Sequence, residues 1–336
     1  MTGYYRPILN SDAARPPGAL RLAGGWCWFS HAERLGRDAA PQLVPVSDIP
    51  ADIADALTRA RPQIAGLDLT APRLMGILNV TPDSFSDGGR FNSPQAALEQ
   101  GAAMAKGGAD LIDIGGESTR PGAETVAVET EIARTAPIIA ALRAAQGVPI
   151  SIDTRKAAVA QAAIGAGAAM LNDVSALSYD PGLAPLAADS DLPICLMHTQ
   201  GTPDTMADDP RYDNVLLDVY DHLAERIAAA QAAGIARENI VIDPGIGFGK
   251  TLDHNLILLR NLGLFHALGC PILLGVSRKR FIGTIGNAPD PQDRMPGSLA
   301  VALAAVAQGV QILRVHDIRE TRQALSLYKA VTGKGT

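Results

Sequence analysis

The chain has 336 residues, 47% of them hydrophobic, and a formal net charge of −6 at pH 7. That length and apolar content fit one large domain with an appendage. No Lys/Arg-rich run occurs, which argues against nucleic acid as a partner, and no stretch reaches the ~18 apolar residues of a membrane span.

The cysteines and the first residues bear on the cellular compartment. The cysteine count is odd and the spacing matches no zinc motif, so we expect the thiols to be buried small hydrophobes. The first residues contain no apolar signal core. These features predict a cytoplasmic protein with free thiols at Cys27, Cys195 and Cys270.

Residues 1–70 form an N-terminal extension that differs from the rest of the chain, since they contain both tryptophans. The run ALRLAGGWCWFS predicts a strand or a hairpin interrupted at Gly24 and Gly25. Apolar residues recur at helical spacing over 52–60, which predicts one short helix. We expect an ordered cap packed on the following domain, at its N-terminal end. A regulatory or interface role is the alternative.

Eight short apolar runs follow one another between Arg73 and Asp317. Each is rich in Val, Ile and Leu, as strands buried on both faces are. Alanine-rich helical stretches such as 94–106 and 214–233 separate them. Eightfold strand–helix alternation predicts a (β/α)8 TIM barrel over residues 71–336. The runs are LMGILNV, ADLIDIGGE, VPISIDT, AMLNDVS, LPICLMHT, NIVIDPG, PILLGVS and QILRVHD.

Polar residues stand where nearly every predicted strand ends. Core strands gain nothing from such residues, and barrel enzymes place their chemistry at the C-terminal strand ends. The pattern therefore predicts an active site at that mouth. Its candidate residues are Asn79, Glu117, Asp153, Asn172, His198, Asp243, Ser277, Arg314 and His316.

Asp153, Asn172 and Asp243 close the third, fourth and sixth predicted strands. Carboxylate and carboxamide groups around one mouth can hydrogen-bond a flat heterocycle, and a carboxylate makes two parallel bonds with a guanidine-like edge. The alternative is that each aspartate caps the helix that follows it.

An anion site is predicted after the seventh and eighth strands, where barrels often hold phosphate. Arg314 and His316 share one face of a strand because side chains alternate, and Ser277 and Lys279 lie in the preceding loop. The alternative for Arg314 is a structural ion pair with Asp113 or Asp317.

The run DPGIGFGKT superficially resembles a phosphate-binding loop but lacks its spacing. We expect its glycines to let the backbone approach a flat ligand, with Phe248 or Ile246 lining the ligand's face. His198, in MHTQGTP, is a candidate base, although a structural role is favoured because no partner is identifiable.

Two loops, TPDSFSDGGRFNSP and ESTRPGAETV, are rich in the turn residues of active-site lids. Together with the segments SIDTRK, NDVSA, MHTQGTPDTM, VIDPGIGFGKT, GVSRKRFIG and RVHD, they fall in the order seen in one family. The chain resembles the dihydropteroate synthases of folate biosynthesis over about four-fifths of its length. Thr199 and Ile246 depart from the commonest family pattern, which has Met and Phe there.

The resemblance implies the condensation of a dihydropterin-methyl diphosphate with 4-aminobenzoate. It implies that Asp153, Asn172, Asp243 and Lys279 bind the pterin, with Asp153, Asp243 and Lys279 catalytic. It further implies a homodimer, and inhibition by sulfonamides. It assigns binding of the diphosphate to Arg314 and His316, and binding of Mg²⁺ to Asn79. Thr119 is expected to contact the pterin diphosphate. The residues expected to border the 4-aminobenzoate pocket are Phe85, Thr119, Pro121 and Ser277.

Two alternatives remain open at this stage. One is a methyltetrahydrofolate-dependent methyltransferase on the same barrel, in which the predicted anion site would have no use. The other is a pterin-binding paralogue without catalytic activity, although every motif position is filled.

Overall fold

The computed structural model describes residues 3–81, 94–118, 125–201 and 210–332. Its centre is a sheet of eight parallel strands, which confirms the predicted barrel. The strands have three to seven residues, nearly all of them buried, as in parallel sheets that are covered on both faces. They are β6 (Arg73–Asn79), β7 (Leu111–Gly115), β8 (Ile150–Asp153), β9 (Met170–Asp173), β10 (Ile194–Met197), β11 (Ile240–Asp243), β12 (Leu273–Gly275) and β13 (Ile312–Val315).

The sheet closes on itself. Neighbouring strands follow the order β11-β10-β9-β8-β7-β6-β13-β12. The two ends of this series meet at a parallel bridge between Ile242 and Ile272. Closure places the carboxyl ends of all eight strands around one mouth.

Helices cover the outside of the barrel between successive strands, and an additional short helix follows β12. Their apolar residues pack on the outer faces of the strands in one continuous core. The helices are α2 (Pro94–Lys106), α3 (Val128–Ala145), α4 (Ala157–Gly165), α5 (Leu183–Ser190), α6 (Val215–Ala232), α7 (Leu252–Arg260), α8 (Arg280–Ile285), α9 (Met295–Ala307) and α10 (Ile318–Val331). A 3-10 helix at Leu262–Leu268 follows α7.

The N-terminal extension contains two small antiparallel sheets and one helix. The predicted hairpin is present, and the predicted helix begins one residue earlier and ends two residues earlier than the pattern indicated. The elements are β1 (Tyr4–Pro7), β2 (Leu20–Arg21), β3 (Trp28–Phe29), β4 (His31–Leu35), β5 (Gln42–Pro45) and α1 (Ala51–Thr58). β1, β4 and β5 form one sheet, and β2 pairs with β3.

Only the end of the extension lies at the N-terminal end of the barrel. Ile64 and Leu69 pack with inward-facing residues near the start of the strands, among them Met75 and Met170. The expected cap at that end is therefore formed by the residues just before β6.

The rest of the extension lies along the side of the barrel, on α6, α9 and the 3-10 helix Leu262–Leu268. The Tyr4 hydroxyl donates to Asp221 over 2.8 Å, and Trp26 Nε1 donates to the Val306 carbonyl over 2.8 Å. Arg61 donates to the His266 carbonyl over 3.0 Å. These contacts make the extension part of the folded body.

The three cysteines are buried and free, as expected. Cys195 lies inside the barrel, and burial raises the pKa of its thiol well above the usual value. Among the described residues, no helix is both long and apolar enough to cross a membrane.

Candidate active site

The strand register brings three of the predicted polar residues to one level of the barrel mouth, and Asp243 lies two residues further along, on the same side of the sheet. Asn79 pairs in register with Gly115, Gly115 with Asp153, and Asp153 with Asn172. Asp243 is the last residue of β11 and pairs in register with Met197. Parallel strands put residues of equal register side by side, so these groups face a common space.

A buried cluster at the base of this space links four strands. Asp113 Oδ2, on β7, accepts from Arg314 Nε over 2.6 Å and from Asn172 Nδ2 over 3.0 Å. Arg314 also donates from Nη2 to Asp153 Oδ2 over 2.8 Å. Asp113 is fully buried, so one carboxylate fixes both the guanidinium and the carboxamide.

Two carboxylate oxygens in the cluster are buried without a hydrogen-bond partner among the described residues. They are Oδ1 of Asp113 and Oδ1 of Asp153. Native proteins rarely leave such atoms unpaired, because desolvation is then uncompensated. Burial raises the pKa of Asp153 to about 7 against the attraction of Arg314, and nearby Asp113 adds to the rise. The cluster can therefore accept N–H donors from a ligand.

Asp243 and Lys279 form the other side of the mouth. Asp243 Oδ1 accepts from the Gly245 amide over 2.7 Å. Lys279 donates to the Ile246 carbonyl, and its ammonium lies 4.6 Å from the centre of the Phe248 ring. Burial lowers the pKa of Lys279 to about 8, and Asp243 opposes that change. Burial also raises the pKa of Asp243.

The expectation for the loop after β11 is corrected in two respects. Ile246 is fully buried in the core and does not line the mouth. The glycines serve a close approach between loops: a Cβ at Gly245 would overlap the His198 carbonyl oxygen, and one at Gly249 would lie 2.6 Å from the Gln200 carbonyl oxygen. Both have left-handed φ values, 67° and 59°. Glycine is the residue that tolerates both demands.

Ser277 and His316, predicted from separate motifs, are brought together. The Ser277 hydroxyl lies 3.0 Å from His316 Nδ1 and accepts from the His316 amide over 3.2 Å. Arg278 turns away from the mouth and donates from Nε to Asp317 over 3.1 Å. Asp317 thus pairs with Arg278, and the ion-pair partners of Arg314 are Asp113 and Asp153.

His198 has a partner that the sequence did not reveal. Its Nδ1 lies 2.8 Å from Lys250 Nζ. Burial and the nearby Lys250 lower the pKa of His198 to about 2. The ring is therefore neutral and held in the loop packing, which supports the structural role.

Glu117 belongs to a second buried cluster beside the mouth. It accepts from Lys156 Nζ over 2.6 Å and from the Val126 amide over 2.7 Å. Lys156 also pairs with Glu131 over 2.7 Å, and Arg155 pairs with Glu117 over 3.1 Å. Burial alone would raise the pKa of Glu117, but the bonds from Lys156 and Val126 bring it below its usual range. Glu117 is a structural ion-pair residue in this arrangement.

Asn79 is partly exposed at the end of β6, and its carboxamide is a hard neutral oxygen donor suited to Mg²⁺. In the described part of the chain, no group of three or more His, Cys, Asp or Glu side chains converges as a metal site. Asn79 would therefore be a single protein ligand to a Mg²⁺ ion that arrives already bound to a diphosphate.

Three predicted residues, Phe85, Thr119 and Pro121, lie outside the described residues. The same holds for most of the two predicted lids. Their assignments stay predictions.

Known proteins resemble this chain in sequence and in fold. The model of the pterin binding enzyme family matches residues 75–316. The dihydropteroate synthase of Escherichia coli is 48% identical over 268 residues, which cover 80% of this chain and 94% of the relative. The Xanthomonas albilineans dihydropteroate synthase solved with 4-aminobenzoic acid superposes with a TM-score of 0.76 at 48% identity, covering 81% of this chain and 97% of its own. The Yersinia pestis dihydropteroate synthase solved with a sulfonamide drug has a TM-score of 0.76 at 47% identity, covering 80% of this chain and 96% of its own.

The family model covers residues from all eight strands of the barrel, and the relative from Escherichia coli aligns with 268 of the 336 residues. The chain belongs to the family of pterin-binding enzymes and, within it, to the dihydropteroate synthases, which are transferases.

Proposed function

We propose that the protein condenses (7,8-dihydropterin-6-yl)methyl diphosphate with 4-aminobenzoate, giving 7,8-dihydropteroate and pyrophosphate. The observation that carries the proposal is the Asp153 carboxylate beside Arg314, whose Oδ1 is buried and has no partner among the described residues. A pterin ring offers N–H donors of the kind this oxygen lacks. Family membership supports the same reaction.

Pterin binding is assigned to Asp153, Asn172, Asp243 and Lys279. A carboxylate of Asp243 opposite the guanidine-like edge of the pterin makes two parallel, charge-assisted bonds. Lys279 is held beside Asp243 by the Ile246 carbonyl, which leaves its ammonium at the mouth. Asn172 already donates to Asp113, so its carboxamide oxygen is free to accept from the ring.

The diphosphate is assigned to Arg314 and His316. Arg314 uses Nε and one Nη2 hydrogen for Asp113 and Asp153, and the remaining guanidinium hydrogens are available to an anion. Mg²⁺ held by Asn79 would add positive charge at the leaving oxygens. These groups stabilise the charge that gathers on pyrophosphate as it departs.

The chemistry is substitution at the pterin methylene carbon. The C–O bond to the diphosphate breaks with its electron pair, the amine nitrogen of 4-aminobenzoate forms the new C–N bond, and the amine loses a proton. Preplaced carboxylates of Asp153 and Asp243 stabilise positive charge on the pterin as the C–O bond lengthens. The nucleophile needs little activation because an arylamine is unprotonated at neutral pH.

Phe85, Thr119, Pro121 and Ser277 are proposed to border the 4-aminobenzoate pocket, so a sulfonamide is expected to compete with that substrate. The relative from Yersinia pestis was solved with such a drug. A homodimer and a cytoplasmic location belong to the same proposal, by analogy with the family.

Pyrophosphate release tests the function. Release should need both substrates, since the arylamine is the acceptor. A methyltransferase on this barrel would release none, and its reaction would leave the proposed anion site, Arg314 and His316, without a use. A binding paralogue would bind the pterin diphosphate in calorimetry without releasing pyrophosphate. Either result would overturn the proposal.

A further inference from the structure

Lys250 is a buried cation that the proposed chemistry does not use. Its Nζ lies 2.8 Å from the Gly245 carbonyl, 2.9 Å from the Phe248 carbonyl and 2.8 Å from His198 Nδ1. The His198 carbonyl lies further away, at 3.4 Å, so the three protons of the ammonium are shared between the two loop carbonyls and His198. A lysine with this geometry ties its own loop to the neighbouring one.

The two carbonyls flank the part of the loop that touches the mouth. Between them, the Ile246 carbonyl accepts from Lys279. The Phe248 ring lies 4.6 Å from the Lys279 ammonium. On the other side, the Gly245 amide donates to Asp243 over 2.7 Å. Lys250 thus holds the residues that orient both proposed pterin ligands.

The loop depends on such external bonds because three of its residues are glycines with left-handed φ values of 67°, 85° and 59°. Glycine leaves the backbone free to leave this conformation. Besides Lys250, the loop is held by the Tyr212 hydroxyl, which donates to the Gly249 carbonyl over 2.7 Å, and by Asn255, which accepts from the Gly247 amide over 2.7 Å. Lys250 is the only one of the three that binds two loop carbonyls and the neighbouring loop at once.

We propose that Lys250 is a positioning residue for the pterin site: it fixes the turn 245–248 so that the Ile246 carbonyl and the Gly245 amide hold Lys279 and Asp243 in binding geometry. It touches neither substrate. This inference rests on the proposed function, since it assigns a role within that reaction.

The test compares Lys250→Met with Lys106→Met, a matched change at an exposed lysine on α2. A displacement of about 1 Å at reacting groups costs about 10²-fold in rate. We expect Lys250→Met to lower kcat/KM for the pterin diphosphate by about that factor, with a much smaller change in KM for 4-aminobenzoate. Lys106→Met should match the wild type. Wild-type kinetic constants in Lys250→Met would overturn the proposal.

A double-mutant cycle separates positioning from general destabilisation. Because Lys250 acts partly through Lys279, Lys250→Met should weaken pterin diphosphate binding less in a Lys279→Met background than in the wild type. Fully additive losses would overturn the proposal. If Lys250→Met does not fold, Tyr212→Phe removes one hydroxyl bond to the same loop and enters the same cycle, with the same two outcomes.

Failure of the proposed function has a different signature. A wild-type protein that binds no pterin diphosphate and releases no pyrophosphate contradicts the function before any variant is made. An active wild type with unaffected or additive Lys250 variants contradicts the positioning role alone.

Discussion

Asp153 and Asp243 have the most direct role in the proposed chemistry. Changing either to Asn keeps the side-chain shape and removes a preplaced negative charge. The loss of one such stabilising group costs about 10²–10³ in turnover. We expect Asp153→Asn and Asp243→Asn each to lower kcat by that factor, in a pyrophosphate-release assay at saturating substrates, with unchanged thermal unfolding. Near wild-type turnover in both variants would contradict their assignment.

The ionisation of two side chains predicts the pH dependence of the free enzyme. Asp153, with a pKa of about 7, must be ionised, so kcat/KM for the pterin diphosphate should fall as pH drops through that value. Lys279, with a pKa of about 8, must be protonated, so kcat/KM should fall again as pH rises through that value. Initial rates across this range should give a narrow bell. A flat profile across both limbs would contradict the prediction.

Asp113 is expected to control the acid limb of that bell. Its carboxylate is close to Asp153 and raises the pKa of that group. Asp113→Asn removes the like charge and leaves Arg314 to pair with Asp153 alone, and both changes lower the pKa of Asp153. The acid limb should therefore move to lower pH, while affinity for the pterin diphosphate falls because Arg314 and Asn172 lose their shared anchor. An unmoved acid limb would show that Asp113 does not act on Asp153.

Several of these residues were predictable from strand ends, and others were not. Asp153, Asn172 and Asp243 stand out because an apolar run stops at each of them. Asp113 lies inside a strand, and the sequence indicated it only as an alternative ion-pair partner of Arg314; its contact with Asn172 is visible only in the structure. Lys250 follows the glycines of the loop after β11, and their role is clear only once His198 and Gln200 are seen to lie against that loop. Such pairings arise from closure of the barrel and have no local sequence signal.

At the scale of elements, α1 joins the extension to the barrel. Its Leu57 is fully buried in the core, and α1 lies against the 3-10 helix Leu262–Leu268. Leu57→Ala should lower the free energy of unfolding by about 2–5 kcal/mol, because it leaves a cavity. KM for both substrates should stay unchanged, since Leu57 packs outside the barrel and none of the proposed site residues lies on α1.

Leu43→Ala is the matched control for this prediction, because Leu43 lies on β5 with 67% of its surface exposed. Its effect should stay within about 0.5 kcal/mol. Denaturant unfolding measures both variants. Equal, small effects would mean that the extension contributes little to the stability of the barrel.

The sequence predicted which segments form strands and helices better than it predicted where the extension packs on the barrel. Eight buried strands and their helices follow from apolar runs and alanine-rich spacers. The location of the extension was only partly predictable, because residues 64–69 close the lower end while the sheets lie on α6 and α9. That placement depends on single contacts, such as Tyr4 with Asp221, between residues far apart in the sequence.

At the scale of the whole molecule, the fold separates stability from chemistry. Apolar side chains fill the lower barrel, where Met75, Met170 and Cys195 pack with Ile64 and Leu69 of the extension. Charged and amide groups occupy the upper level, around Asp113 and Arg314. The apolar residues below the mouth exclude water and lower the local dielectric constant. Electrostatic interactions with a bound substrate are therefore stronger there than in water.

The proposed reaction at the mouth of the barrel joins a pterin diphosphate to an arylamine. The most direct measurement follows both products at once, with chromatography for 7,8-dihydropteroate and a coupled assay for pyrophosphate. The proposed reaction should form 7,8-dihydropteroate and pyrophosphate in equal molar amounts. Neither product should form when 4-aminobenzoate or the pterin diphosphate is omitted. Pyrophosphate formed at the same rate without 4-aminobenzoate, or no dihydropteroate with both substrates present, would contradict it.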